Sequence, residues 1–122
     1  MKELIDRYVS AYNSFDIEGM VVVLSSDVRF ESYEGSQLTV ATSGIDEFRR
    51  LAEWSKSLFS EREQRITELH FNQDSVDASI SFRGQLAADL PNGTPAGTVI
   101  ELQGQSKYFF SGGQISKIID RS

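Results

Sequence analysis

The chain has 122 residues, which suffice for one domain with its own hydrophobic core and are too few for two, so we treat residues 1–122 as a single domain. Its formal net charge of −6 at pH 7 argues against nucleic acid and anionic membrane surfaces as partners, because both are bound by clustered Lys and Arg. The absence of cysteine excludes disulfides and thiolate catalysis, and the single histidine, His70, excludes most zinc sites, so we expect no metal and no cofactor.

The N-terminal stretch predicts two helices. Apolar residues recur at helical spacing from Leu4 to Phe15, which indicates a first helix with one apolar stripe. Asp16 is suited to cap a second, short helix through about Leu24, although the run "VVVL" also fits a strand. This stretch is charged throughout, and nothing later in the chain is long and apolar enough to span a bilayer, so we expect a cytoplasmic protein.

A strand and a third helix follow. The stretch "DVRFESYE" alternates, with Val28, Phe30 and Ser32 on one face of the predicted strand. "SGIDEF" begins the third helix, with Ser43 as the expected N-cap and Asp46 completing a capping box.

The second half of the chain predicts strands. "REQRITELHFN" has the imperfect period of a bulged strand, whereas "SVDASISFRGQL" and "TVIELQGQSKYFF" alternate cleanly around the turn "ADLPNGTPAG". After the turn "SGGQ", the last strand places Ile115, Lys117 and Ile119 on one face. Its other face carries Ser116, Ile118 and Asp120.

The order of these elements predicts an α+β fold. Three N-terminal helices would pack on one face of a strongly curved, mainly antiparallel sheet and form a cone with a cavity inside. The inward-facing Gly84, Gly104 and Ser106 would leave room for that cavity, but the glycines equally fit bends in a long hairpin.

Two stretches resemble the SnoaL-like polyketide cyclase and ketosteroid isomerase branch of the nuclear transport factor 2-like superfamily, also called the cystatin-like cone. They are "RYVSAYNSFDIEGMVVVLSSDVRFES" and "NGTPAGTVIELQGQSKYFFSGGQISKIID". The resemblance implies the cone fold, cofactor-independent chemistry of the isomerase, cyclase or dehydratase type, and a homodimer formed through the outer face of the sheet. The outward row Glu101, Gln103, Gln105 and Lys107, with Phe109, would suit such an interface of mixed polarity.

The resemblance assigns roles to four residues. Tyr8 matches the oxyanion-donating tyrosine of the isomerases, whereas Ser32 stands at the position of their aspartate base. Ser106 stands near their second donor, a protonated aspartic acid. Asp120 matches the acid/base aspartate of the cyclases, whose pocket histidine has no counterpart here. Neither steroid isomerisation nor the cyclase reaction is therefore expected as such.

Asp120 and Tyr8 are the candidate catalytic residues. A carboxyl group that faces an apolar cavity has a raised pKa, which suits it to exchange protons near neutral pH. The alternatives are a solvated aspartate at a frayed strand end and a core tyrosine bonded within the protein. The candidate pocket-lining residues are Tyr12, Phe30, Ser32, Phe48, Trp54, Phe82, Ser106, Tyr108 and Ile118.

Two functions remain open from the sequence. The first is a cone-fold enzyme that binds a small, largely apolar or aromatic molecule and moves a proton on it. The second is a non-catalytic, dimeric ligand-binding or accessory module on the same fold.

Overall fold

A computed structural model describes residues 1–122, the whole chain, as three helices and six strands. The helices are α1 (Lys2–Asn13), α2 (Ile17–Val21) and α3 (Ile45–Leu58). The strands are β1 (Leu24–Glu34), β2 (Gln37–Ser43), β3 (Phe59–Phe71), β4 (Ser75–Leu86), β5 (Val99–Ser111) and β6 (Gln114–Arg121). They form one sheet in the order β2-β1-β6-β5-β4-β3, in which β1 and β6 are the parallel pair. The predicted α+β fold with a mainly antiparallel sheet is confirmed.

The hydrophobic core lies between the helices and the sheet. Seventeen buried residues form one cluster that draws on all three helices and on β1, β4, β5 and β6. Ile5 of α1 and Val28, Val76 and Ile115 of the sheet are fully buried. Each such aliphatic side chain contributes about 1.5–3 kcal/mol through burial, so this cluster is what holds the helices on the sheet. The longest helix has 14 residues, and none has the length and apolar composition needed to cross a membrane.

The second helix is shorter than predicted. Asp16 caps it as expected, because its carboxylate accepts a hydrogen bond from the Gly19 N–H at 2.9 Å. The helix ends at Val21, and β1 already begins at Leu24, before the predicted start at residue 27. The N–H of Ile115 donates to the Val23 carbonyl at 2.9 Å, so pairing with β6 draws the end of "VVVL" into the sheet.

The predicted cap of α3 is wrong. Ser43 is the last residue of β2, and the N-cap is Gly44, whose φ of +86° is in the left-handed region that favours glycine. The Ser43 N–H instead donates to the Glu47 side chain at 3.0 Å. The acid that reaches back over the start of α3 is therefore Glu47 and not Asp46.

The sequence analysis did not identify β2. This edge strand reads "QLTVATS", and five of its seven residues are exposed, whereas Val40 and Thr42 are half-buried. Because only Val40 and Thr42 are even half-buried, β2 lacks the sustained apolar alternation by which a half-buried strand is recognised.

The predicted alternation in β6 fails at its start. The pairing of β6 with β5 shifts register around Ser116, and Ile115 and Ile118 are consequently both buried. The sequence had placed these two isoleucines on opposite faces. Alternation resumes after the bulge, so Asp120 lies on the same face as Ile118.

Gly84 and Gly104 allow close packing and do not contribute space to a cavity. A Cβ atom at Gly84 would lie 2.7 Å from the Phe59 ring, and one at Gly104 would lie 2.7 Å from the Arg121 carbonyl oxygen. These two glycines therefore do not enlarge the cavity, and the neighbouring atoms that a Cβ would meet are what favour glycine at both positions.

The outer face of the sheet pairs its charges within the chain. Arg83 lies 3.5 Å from Glu101, and Lys107 lies 3.9 Å from Asp77. The homodimer expected through this face stays a prediction.

We predict that Gly104→Ala lowers the free energy of unfolding by about 1–3 kcal/mol, because the new methyl group would force the end of β6 away from β5. Urea denaturation of both proteins measures the difference. Gln105→Ala, on the exposed side of the same strand, is the matched control and should change stability little. Equal stability of the Gly104→Ala protein and the wild type would show that the close approach is not constraining.

Candidate functional site

A cavity of about 180 Å³ lies between the helices and the inner face of the sheet. Fourteen residues line it, and nine of them are hydrophobic. The five polar lining residues are Ser32, Ser55, Arg62, Gln64 and Asp120. A mostly apolar hollow with a few convergent polar groups is the usual form of a small-molecule site.

The structure brings seven of the proposed site residues together around this cavity. They are Tyr8, Tyr12, Phe30, Ser32, Phe48, Trp54 and Asp120. Trp54, the only tryptophan, is 60% exposed, so it stands at the rim where the cavity meets solvent.

The other four residues expected to line the pocket do not. Tyr108 and Ile118 are 1% exposed and belong to the hydrophobic core, outside the cavity lining. Phe82 packs edge-to-face against Phe59, with the ring centroids 5.6 Å apart, in another part of the sheet. Ser106 is buried and touches the site only through its hydrogen bond to Asp120.

Asp120 projects from the middle of the sheet. Strand β6 lies between β1 and β5, so Asp120 is flanked by Ser32 on one side and by Ser106 on the other. The Ser106 hydroxyl donates a hydrogen bond of 2.7 Å to the Asp120 carboxylate. Burial raises the pKa of Asp120 to about 6, and the hydrogen bond from Ser106 opposes part of that rise. Asp120 is thus a cavity-facing carboxyl group that titrates near neutral pH, and not a solvated strand end.

Tyr8 places a phenol in the same cavity. Its ring is fixed by neighbouring rings, with centroids 6.4 Å from Phe48 and 6.1 Å from Tyr108. Burial, followed by the charge of Asp120, raises the pKa of Tyr8 well above its usual value. The hydroxyl group therefore keeps its proton and can act as a hydrogen-bond donor.

The sequence analysis missed Arg62, the one cation in the cavity lining. Arg62 lies on β3 and is only 6% exposed. Its Nε donates to the Tyr12 carbonyl at 3.0 Å, and the guanidinium carbon lies 3.7 Å from the centroid of the Tyr12 ring. Burial lowers the pKa of Arg62. Along β3, Arg62 and Gln64 alternate with exposed neighbours, as residues on the inner face of a strand do. Because both side chains are polar, this alternation does not appear in the hydrophobic pattern of the sequence, which looked only like an imperfect period.

The single histidine of the chain is not part of this site. His70 is exposed towards the end of β3, and nowhere do three His, Asp or Glu side chains come together as metal ligands do. The ionisable groups of the cavity lining are therefore one carboxyl group, the phenols of Tyr8 and Tyr12 and one buried guanidinium group.

The family model of the SnoaL-like domain matches residues 5–118. A comparison with curated protein sequences gives no match.

Three solved structures illustrate the likeness of the fold. A candidate polyketide cyclase of Xanthomonas campestris pv. campestris has a TM-score of 0.86 and 18% identity, over 99% of this chain and 88% of that one. A protein of Catenulispora acidiphila DSM 44928 with a ketosteroid isomerase-like fold, in complex with trimethylamine, has a TM-score of 0.80 and 12% identity over 97% and 83%. TerC, co-crystallised with polyporic acid, has a TM-score of 0.78 and 17% identity over 97% and 87%. At these identities the likeness shows the fold alone.

We predict that Asp120→Asn stabilises the protein at neutral pH. The folded-state pKa of about 6 is higher than the usual 3.8, so the folded protein binds this proton more tightly than the unfolded chain does. The stability this group contributes is fully present below about pH 4 and is lost as the pH rises through about 6. The advantage of Asp120→Asn over the wild type should therefore grow across that range, by about 1–3 kcal/mol.

Urea denaturation at a series of pH values measures this difference. Asp27→Asn, at an exposed aspartate, is the matched control and should show no such trend. Parallel pH profiles for Asp120→Asn and the wild type would contradict the raised pKa.

Proposed function

This chain belongs to the SnoaL-like domain family, and we propose that it binds a small, largely apolar molecule in its cavity and moves a proton on that molecule with Asp120. One observation carries the proposal: the carboxyl group of Asp120, with a pKa of about 6, faces the same apolar cavity as the Tyr8 phenol. A proton acceptor poised near neutral pH beside a hydrogen-bond donor is the pair that general acid–base catalysis requires.

The size of the cavity supports a small ligand. A closed apolar volume of roughly 150 Å³ holds one benzene ring in other proteins, and this cavity has about 180 Å³. One ring would fill it, and a longer molecule would extend past Trp54 towards solvent. Small molecules accompany two structures of this fold, trimethylamine in the Catenulispora protein and polyporic acid in TerC.

The reaction class follows from the two groups. With Asp120 ionised, its carboxylate takes a proton from a carbon next to a carbonyl group, and the electrons of that C–H bond move onto the carbonyl oxygen. The Tyr8 hydroxyl stabilises the resulting enolate by donating a hydrogen bond to it. If the enolate is conjugated with a C=C bond, the Asp120 carboxylic acid returns the proton to the far carbon of that bond, as in an isomerisation. Alternatively, the enolate carbon attacks a second carbonyl, as in an aldol ring closure, and Asp120 gives its proton to the alkoxide oxygen that this forms.

A non-catalytic ligand-binding role is the second candidate. It is favoured by Ser32, a serine beside Asp120 at the position where the resemblance puts the base of the isomerases. With a serine at this position, Asp120 is the one carboxyl group in the cavity lining. Ligand binding is common to both functions, and proton exchange separates them.

We predict that the protein accelerates deuterium incorporation into a single-ring ketone, with cyclohexanone in D₂O as the probe. The rate should rise with pH through about 6, as Asp120 ionises. Asp120→Asn should lower the rate by roughly 10²-fold or more, since that is a typical contribution of a general base. Proton NMR follows the exchange, with Asp27→Asn as the control. Equal rates for the wild type and Asp120→Asn would leave only the binding role.

We predict that Ala52→Leu abolishes ligand binding without unfolding the protein. Ala52 is a buried lining residue on α3, and a larger side chain there would occupy the cavity. Benzyl alcohol is a suitable probe, because its binding should change the fluorescence of Trp54 at the rim. Ala88→Leu, in the exposed connection between β4 and β5, should bind as the wild type does. Unchanged binding by Ala52→Leu would place the ligand elsewhere.

A further inference from the structure

We propose that the ligand of this cavity carries a carboxylate group and that Arg62 binds it. The proposal rests on the proposed function, because it names the substrate class of the same cavity. The carboxylate would then anchor one end of the ligand in the cavity, in addition to the apolar lining and the acid–base groups already described.

Arg62 is a buried charge without a counter-ion. It is 94% buried, and its Nη2 nitrogen has no hydrogen-bond partner. No carboxylate lies within salt-bridge distance of its guanidinium group. An unpaired buried cation is costly to keep, and a bound anion would remove that cost.

The guanidinium group is held in place from several sides. The Tyr12 carbonyl accepts from Nε, and the rings of Tyr12 and Phe15 lie 3.7 Å and 4.5 Å from the guanidinium carbon. Phe15 has a φ of +57°, a left-handed backbone conformation that is rare for an aromatic residue. Asn13 also ties the end of α1 to β3 through two hydrogen bonds with the Gln64 backbone, of 2.9 and 2.7 Å. A donor fixed in this way binds an anion without losing side-chain entropy at that moment.

A structural role explains only part of this arrangement. The hydrogen bond from Nε gives the Tyr12 carbonyl, in the last turn of α1, a second donor beside the Phe15 N–H, and cations commonly bind helix-end carbonyls in this way. It leaves Nη2 unused. Gln64, the next lining residue along β3, also has a buried Oε1 atom without a partner, so a second polar side chain beside Arg62 is left unsatisfied within the chain. A planar carboxylate suits the forked donors of arginine better than a single acceptor atom does.

The two charged groups lie towards different ends of the lining. Arg62 lies on β3 and Asp120 on β6, and strands β4 and β5 lie between these two in the sheet. Because both residues line the same cavity, a ligand whose carboxylate is held at Arg62 would direct its carbon skeleton towards Asp120.

Two matched probes test the inference in the wild-type protein. Benzoate and benzamide have nearly the same shape, and only benzoate carries a charge. By isothermal titration calorimetry at neutral pH, benzoate should bind about tenfold or more tightly than benzamide, as a hydrogen bond to a charged group predicts. The NMR signal of the Arg62 Nε–H group should shift with benzoate and much less with benzamide. Equal affinities would overturn the inference and leave the proposed function standing, whereas failure of both probes to bind would remove both.

Variants separate Arg62 from its surroundings. Arg62→Met keeps the apolar stem and removes the charge, so benzoate should lose its advantage while benzamide still binds. Arg65→Met, at the exposed outward position of the same strand, is the control and should keep the full preference. If Arg62→Met does not fold, Arg62→Lys retains the charge without the fork and should keep only part of the preference. An undiminished preference in either Arg62 variant would overturn the inference.

Discussion

The site depends on one constraint, which is that β6 is held between β1 and β5. Backbone hydrogen bonds on both sides fix the height and direction of each residue in this strand. Asp120 therefore meets the Ser106 hydroxyl at 2.7 Å and faces the cavity, although it lies on the last strand of the sequence. Burial of its carboxyl group follows from this position, and so does a pKa of about 6.

The sequence predicted those helices and strands in which buried residues recur at a regular spacing along the chain. The apolar stripe of α1 and the alternation of β4 and β5 are such patterns. The Asp16 cap could be predicted for a related reason, because it depends only on residues in the same helical turn. Strand β2 could not be found in this way, since an exposed edge strand carries no apolar alternation. The bulge at Ser116 was also hidden, because a change of register depends on how β5 pairs with β6 and not on β6 alone.

The same distinction separates the site residues that the sequence predicted from the one that it missed. Tyr8 and Asp120 were found from helical spacing, strand parity and family resemblance, and the structure places both in the cavity lining. Arg62 was missed because a charged residue usually lies on the surface, and only the packing of α1 against β3 buries it. The cavity thus combines a carboxyl group that changes charge near neutral pH with a guanidinium group that does not. Two ionisable groups in one cavity lining distinguish it from an ordinary packing defect, which is lined by apolar side chains alone.

The position of β6 also has a consequence for the way the protein is made. As the chain leaves the ribosome, the β1–β2 hairpin and the β3–β4–β5 meander can form from local contacts before β6 has been synthesised. Both then display unpaired strands, β1 and β5, towards the gap that β6 will fill. Joining them requires Leu24 to pair with Ile115 from the far end of the chain, a slow step in folding. Until β6 fills this gap, the facing edges of β1 and β5 are open to pairing with another chain.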